Sequence, residues 1–330
     1  VYNQKVTLPI LTEQGRTFLG WFTEQTGGVK ITEANGEMIN SWGIAFDTTL
    51  YAHWTTNEYS VTYVDGYTHS NISKFTIDDL PLTLTNPVRS GYRFMGWYSD
   101  DSYATRIYQL SSIGSKTLYA KWAKIYAVSF STTNGTSCAT RSGIEGETIV
   151  LPTSTRGGYK GTWSYWGYLT GNSNTSNFGY SYTIGNSNVT LYVAWKEKSL
   201  SECLNNSVYE IWTYNQLNSI RNNYSTSNMS IYGNYKLMSN ITTSGYWTPV
   251  NYPFRGTLDG NNKQINGLRI NVNDTTSTSS VYIGMFRRIY GTVKNVSLIN
   301  TSVSVSGNTS FYVGTLAGEI LKTARISNCK

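Results

Sequence analysis

Hydrophobic and polar side chains alternate in short stretches along this chain. Tyr59-Ser60-Val61-Thr62-Tyr63, Tyr126-Ala127-Val128-Ser129-Phe130 and Leu118-Tyr119-Ala120-Lys121-Trp122 all read this way. Alternate residues of a strand share one face, so such stretches predict half-buried strands. The last phrase occurs three times, as Leu50–Trp54, Leu118–Trp122 and Leu191–Trp195. Its inward set is Leu50/Ala52/Trp54, Leu118/Ala120/Trp122 and Leu191/Val193/Trp195. The intervening position holds His53, Lys121 and Ala194 in turn, which predicts a solvent-facing site and no ligand role for His53.

A second phrase precedes each of these. It reads Gly15-Arg16-Thr17-Phe18-Leu19-Gly20-Trp21, then Gly91-Tyr92-Arg93-Phe94-Met95-Gly96-Trp97. The third copy, Gly158-Tyr159-Lys160-Gly161-Thr162-Trp163, has Thr162 where glycine precedes tryptophan and no matching phenylalanine. Recurrence of this kind sets the architecture. It predicts three small domains over residues 1–55, 56–123 and 124–196. Their cores would be built on Trp21, Trp54, Trp97, Trp122, Trp163 and Trp195, with Gly20 and Gly96 admitting a ring or a neighbouring backbone. Copy one lacks the first strand of the other two, which predicts further residues ahead of Val1.

Residues 197–208 read as a linker, and the pattern changes from 209 to 330. Thr213 followed by Gln216 is a capping-box pair, and Leu217 and Ile220 would share a helical face, predicting a short helix over 213–222. Ile265-Asn266-Gly267-Leu268-Arg269-Ile270 resembles the stretch Val293–Leu298 at an offset of 28 residues. Ile283-Gly284-Met285-Phe286 resembles Val313-Gly314-Thr315-Leu316 at 30. Apolar triplets at such spacing predict the coils of a β-solenoid, with Gly284 and Gly314 at corners. The sequence stops just after a coil strand, which predicts further coils or another domain beyond Lys330.

The two phrases in combination resemble the Listeria–Bacteroides repeat, the B-repeat of internalin-type bacterial surface proteins, over residues 1–195. That resemblance implies small ubiquitin-like, β-grasp-like domains used in tandem as a stalk. Trp247-Thr248-Pro249-Val250, Phe254-Arg255-Gly256-Thr257-Leu258-Asp259-Gly260 and the Ile283 and Val313 phrases resemble the GLUG-repeat family of extracellular proteins. That resemblance covers residues 209–330 and implies a right-handed parallel β-helix. The fold class expected is therefore mainly β, tandem repeat domains followed by a solenoid.

Charge and composition narrow the chemistry. The net charge is +7, and the basic excess lies in the last segment, where residues 200–330 hold 11 Lys+Arg against 5 Asp+Glu, yet these basic residues are scattered, with Arg287-Arg288 the one adjacent pair there. Nucleic-acid binders cluster such charge, so no nucleic-acid partner is expected. No apolar run approaches a membrane span. The three cysteines form no CxxC pair; a Cys203–Cys329 disulfide is conceivable without support. No nucleotide-binding, nucleophile-elbow or zinc-protease motif is present. Residues 200–330 hold only Glu202, Glu210, Asp259, Asp274 and Glu319, which form no convergent acidic set. Asp78-Asp79 and Asp100-Asp101 read as loop charges. No catalytic, cofactor or metal residue is therefore expected. The one binding patch singled out is Tyr165, Trp166 and Tyr168, beside a Gly/Ser/Asn/Thr-rich insert.

The reading that follows is a non-enzymatic, extracellular cell-surface protein, an adhesin-like stalk carrying a solenoid. Its partners would be other surface proteins, glycans or copies of itself. Two alternatives are a subunit of an extracellular filament, sheath or surface layer, in which open strand edges pair between copies, and a fragment of a carbohydrate-active β-helix enzyme.

Overall fold

The computed structural model describes residues 2–164 and 178–330, and the chain in it is mainly β. It forms two compact units. The first comprises Val1–Ala127, Ser142–Glu147 and Thr183–Asn188; the second comprises Val128–Arg141, Thr148–Tyr182 and Val189–Lys330.

In the first unit the opening and closing phrases of copy one are β1 (Arg16–Phe22) and β2 (Tyr51–Thr56), an antiparallel pair. Copy two adds the expected first strand. There β3 (Tyr59–Val64) lies parallel to the first part of β5 (Lys116–Ser131), and β4 (Tyr92–Tyr98) lies antiparallel to β5 on its other side. Val61, Phe75, Leu84, Trp97, Leu110, Leu118 and Ala120 form its core. Full burial of a side chain like Leu118 stabilises by about 1.5–3 kcal/mol. In the second unit the same order recurs. Residues 128–131 of β5 run parallel to β7 (Val189–Glu197), which pairs antiparallel with β6 (Tyr159–Ser164).

The glycine before tryptophan has a backbone cause. β1 and β4 carry a β-bulge between Phe18 and Gly20 and between Phe94 and Gly96. Gly20 and Gly96 take φ of +125° and +139°, values that side-chain-bearing residues avoid. A Cβ on Gly20 would also lie 2.2 Å from the Thr32 carbonyl oxygen. Copy three has one residue fewer between its glycine and tryptophan, and its β6–β7 register runs without a bulge. Thr162 therefore replaces no strained glycine there. The missing phenylalanine is accounted for as well. Phe18 and Phe94 each pack between two indoles, whereas in copy three a Cβ on Gly161 would lie 2.8 Å from the Trp195 ring, so that ring covers the vacated backbone.

The alternation expected of the closing strands needs correction. Leu191 and Val193 are buried and Trp195 is half-buried, but Ala194 is buried too, at 1% exposure. Nor does His53 face open water. Its ring stacks on Phe22 at 3.9 Å, and its Nε2 donates to the Glu24 carbonyl at 2.8 Å. In copies one and two an aromatic side chain on the adjacent strand covers the outward position, Phe22 over His53 and Tyr98 beside Lys121.

Residues 197–208 do not form a bare linker. β7 continues through Glu197, a 3-10 turn spans Ser201–Cys203, and β8 (Leu204–Asn205) pairs with β9 (Val208–Ile211). Leu200 and Cys203 are buried, which removes the segment's freedom. The capping box of Thr213 and Gln216 forms as expected at the start of α1 (Tyr214–Asn218), which a 3-10 turn continues to Asn222. Leu217 and Ile220 are fully buried at the head of the core that follows.

That core lies within stacked parallel rungs. β9 pairs in parallel with β10 (Asn234–Leu237), β10 with β11 (Thr257–Asn266), β11 with β12 (Thr292–Ile299) and β12 with β13 (Arg325–Ser327). Three further parallel pairs line other sides, Arg269–Asp274 with Ser302–Gly307, Val281–Ile283 with Phe311–Val313, and Phe286–Ile289 with Ala317–Ile320. An internal aromatic column, Tyr209–Tyr235–Phe254–Phe286, runs along the stack with successive centroid separations of 5.3, 6.1 and 4.5 Å.

The rung spacing differs in part from the expected one. Ile283 lies opposite Val313, as the 30-residue offset requires. The 28-residue offset fails. Leu258 pairs with Val293, Ile265 with Leu298 and Val293 with Ile326. The offset is 35 before and 33 after the corner where β11 shifts register between Asp259 and Lys263, so β11 carries two more residues there than β12.

Asparagine, not glycine, takes the left-handed turns there. Asn261, Asn262, Asn295 and Asn328 have φ between +49° and +58°. The short amide tolerates that conformation, and it also ties rungs together. Asn328 donates to the Asn295 side-chain oxygen at 3.1 Å, and Asn295 donates to Asp259 at 3.0 Å. Gly284 and Gly314 serve close approach instead. A Cβ on Gly284 would lie 2.5 Å from the Gly314 carbonyl oxygen. All three cysteines are free thiols, so the Cys203–Cys329 bridge does not form.

The ladder separates two contributions. Asn295→Gly removes the side-chain bonds and keeps the left-handed turn; Asn295→Ala removes both. We expect Asn295→Ala to cost about 2–4 kcal/mol and Asn295→Gly about 1 kcal/mol less, read from urea denaturation of the full chain. Equal losses would show that the turn conformation contributes nothing.

Candidate functional site

The repeated feature of the chain is a joint rather than a catalytic cleft. In each copy the carbonyl of the opening glycine accepts a hydrogen bond from the backbone N–H three residues past the closing tryptophan. The pairs are Asn57 to Gly15, Ile125 to Gly91 and Lys198 to Gly158, each at 2.9 Å. The exit of every copy is thereby pinned to the start of its opening strand.

A basic side chain one or two residues past that glycine then reaches an acidic one further along. Arg16 pairs with Asp78 at 2.7 Å, Arg93 with Glu147, and Lys160 with Glu202. Two of the three acids are themselves held by backbone. Glu147 accepts from the Ile144 N–H, and Glu202 from the Ser199 N–H at 2.9 Å and hydroxyl at 3.0 Å. Lys160 and the Ser199 groups together hold the Glu202 carboxyl down at about 2. Exposed ion pairs contribute little by themselves, so packing carries the joint. The Cβ of Ile77 lies where a side chain on Gly15 would need to be.

The joint between copy three and the rungs is the most fully built. Trp212 lies against Gly157 and Gly158, where an added Cβ would fall 2.2 and 2.6 Å from its atoms. Gln216, 1% exposed, satisfies its whole amide. Its oxygen accepts from the Trp212 and Thr213 N–H groups at 2.9 and 3.2 Å, and its nitrogen donates to the Gly158 and Lys198 carbonyls at 3.1 and 3.0 Å. Thr213 and Asn215 both bond Glu197. The capping box made Gln216 legible as a helix start. Its second role was not, because its carbonyl partner is 58 residues away.

The tryptophans serve as structure. The indole N–H of Trp21 donates to Pro9 O at 2.9 Å, that of Trp97 to Thr85 O at 3.1 Å and that of Trp163 to Pro152 O at 2.8 Å. Trp122 donates to Asp65 O, and Trp195 to Thr133 O. Trp54 packs on Phe18. Tyr165, Trp166 and Tyr168 lie outside the described residues.

The carboxylates are engaged separately. Asp259 meets Lys294 at 3.3 Å and Glu319 meets Arg288 at 2.9 Å. Asp274 accepts from Thr276 and Ser277, which hold it at about 2. Asp79 closes a turn onto Thr76, and Asp100 accepts from Ser102, Ala104 and Thr105. Among the described residues, no group of three or more His, Cys, Asp or Glu side chains is gathered as a metal would require. No helix among the described residues is long and apolar enough to cross a membrane.

Comparison with known proteins bears on the first unit most directly. Residues 1–53 and 59–121 match the family model described as Flg_new, Listeria-Bacteroides repeat domain. A 141-residue stretch, 41% of the chain, is 33% identical to 15% of a protein of Evansella cellulosilytica named "Putative Gly-rich membrane protein". A 117-residue stretch, 34% of the chain, is 35% identical to 20% of Internalin H of Listeria monocytogenes. A second Evansella cellulosilytica protein, named "Putative membrane protein", is 27% identical over 56% of the chain and 27% of its own length. The chain thus spans well under a third of each of these relatives. No solved structure matches it.

Two outcomes follow from the joints. Gln216→Leu strands two buried N–H groups and two carbonyls; we expect a loss of about 2–4 kcal/mol and faster amide exchange at Trp212 and Thr213. The second concerns acid. Glu202 and Asp274 titrate at about 2 when folded and at roughly 4 when unfolded, so their contribution is complete above pH ~4. It is lost as pH falls through about 2. The denaturation midpoint should stay level from pH 7 to ~5 and drop between ~4 and 2, with a shallower drop for Glu202→Gln.

Proposed function

We propose that two Listeria-Bacteroides repeats, a third related copy over residues 124–196 and the stacked rungs together form part of a non-enzymatic cell-surface protein. The repeats are β-grasp-like spacers in an adhesin-like stalk. The rungs are a right-handed parallel β-helix of the GLUG-repeat kind. The protein is extracellular and held at the cell surface, and its partners are glycans or other surface proteins.

One observation carries this reading. The same backbone clamp, with the same 2.9 Å geometry and a cation-to-acid pair beside it, closes each of the three copies. A device repeated at every exit regulates how one module follows another, which is what a spacer requires and a catalyst does not. The repeat match to Internalin H and to named membrane proteins supports a surface location.

The test is made on cells producing the parent protein and on the purified chain. Antibody against residues 1–121 should label intact cells, and the chain should sediment as a monomer at every concentration. Labelling only after lysis would overturn the location. Concentration-dependent assembly would replace the stalk by a filament subunit.

A further inference from the structure

A polar cleft of about 310 Å³ opens on the side of the stacked rungs. That volume is at the lower end of the ~300–1,000 Å³ in which small ligands are held. Asn251, Asp274, Ser277, Tyr282, Arg287 and Arg288 are among the residues that line it. The strand Phe286–Ile289 turns Phe286 and Ile289 into the core and leaves Arg287 and Arg288 partly exposed.

The two arginines differ. Arg288 is committed, paired with Glu319 at 2.9 Å and lying 4.4 Å from the centre of the Tyr282 ring. Arg287 makes no ion pair among the described residues. In the ladder Phe286 lies opposite Ala317 and Arg288 opposite Glu319, so the intervening Gly318 offers Arg287 no side chain. Its Nε is buried and has no acceptor. What the cleft therefore offers a ligand is a guanidinium whose charge no protein carboxylate pairs among the described residues.

The one carboxylate in the wall makes no ion pair with Arg287. Asp274 is turned onto Thr276 and Ser277, which occupy its oxygens. The hydroxyl and amide groups of the wall suit a hydroxylated ligand. Tyr282, stacked on Tyr312 at 5.0 Å and 13°, stiffens one side, and the half-exposed Tyr312 extends that wall by one rung.

We propose that this cleft binds an acidic saccharide, with Arg287 receiving the carboxylate of a uronate ring and the Ser and Asn groups receiving its hydroxyls. A guanidinium matches a carboxylate with parallel N–H donors, and the pair is stronger than a neutral hydrogen bond. The inference deepens the surface-protein reading by naming a ligand class, and it rests on that reading for its biological setting only.

The test is titration calorimetry of the full chain with an oligogalacturonate and with the same oligomer fully methyl-esterified, which keeps the rings and removes the charge. We expect binding of the acid form, weakening with added salt, and about tenfold weaker binding of the ester. Arg287→Gln should lose about tenfold for the acid form and nothing for the ester. Arg287→Met should lose the same affinity while melting at an equal or higher temperature, because it removes the orphaned donor. Equal affinity for acid and ester, unchanged affinity in Arg287→Gln, or no binding of the acid form would each overturn the site. A chain that binds inorganic phosphate as tightly as the uronate would overturn the saccharide assignment. None of these results alters the cell-labelling experiment, so the two readings fail separately.

Discussion

The architecture depends on what a tryptophan must do with its one polar atom. A large ring supplies much of the core of a small domain, but a buried indole N–H needs an acceptor. In all three copies the opening-phrase indole finds it in the backbone of a neighbouring loop, at Pro9, Thr85 and Pro152. That bond fixes the loop against the strand, and the loop's preceding residue, Leu84 or Leu151, is then drawn into the core. Packing and polar satisfaction are solved by one side chain. Long variable inserts elsewhere are tolerated because loop length costs little.

The same economy explains what was legible in the residues. Period-two alternation and recurring phrases located the opening and closing strands of the three copies. The capping box located α1. Less visible was the bulge, whose signature is a count: six residues from glycine to tryptophan in two copies, five in the third. Aligning Thr162 on Gly20 and Gly96 equated a regular strand with a bulged one. The 28-residue offset failed for a related reason. It matched apolar triplets by composition, whereas the rungs align by backbone pairing at offsets of 35 and 33, the two-residue change falling at the Asp259–Lys263 corner where Asn261 and Asn262 take left-handed turns. Asparagine in a polar stretch reads as loop, and only stacking reveals it as a tie between rungs.

The candidate site was least legible. Each joint couples a residue near an opening glycine to one 42 to 62 positions away, a separation no local pattern carries. A trace was present in the basic residue that follows the glycine in every copy. Arg287-Arg288 was visible as an adjacent pair, but their difference was not. It arises from the residues placed opposite them on the next rung, glycine for one and glutamate for the other.

In copy two the first strand and the closing strand are neighbours that run the same way, from Val61 opposite Lys116 to Val64 opposite Tyr119. Copy three repeats the arrangement from Val128 opposite Val189 to Ser131 opposite Tyr192. Tension applied between the two ends of such a copy pulls these strands lengthwise past each other. Their hydrogen bonds are then strained together in shear, instead of opening one after another as in a hairpin drawn apart at its mouth. In a copy built this way, stretching along the chain loads several hydrogen bonds at once, whatever the size of its core.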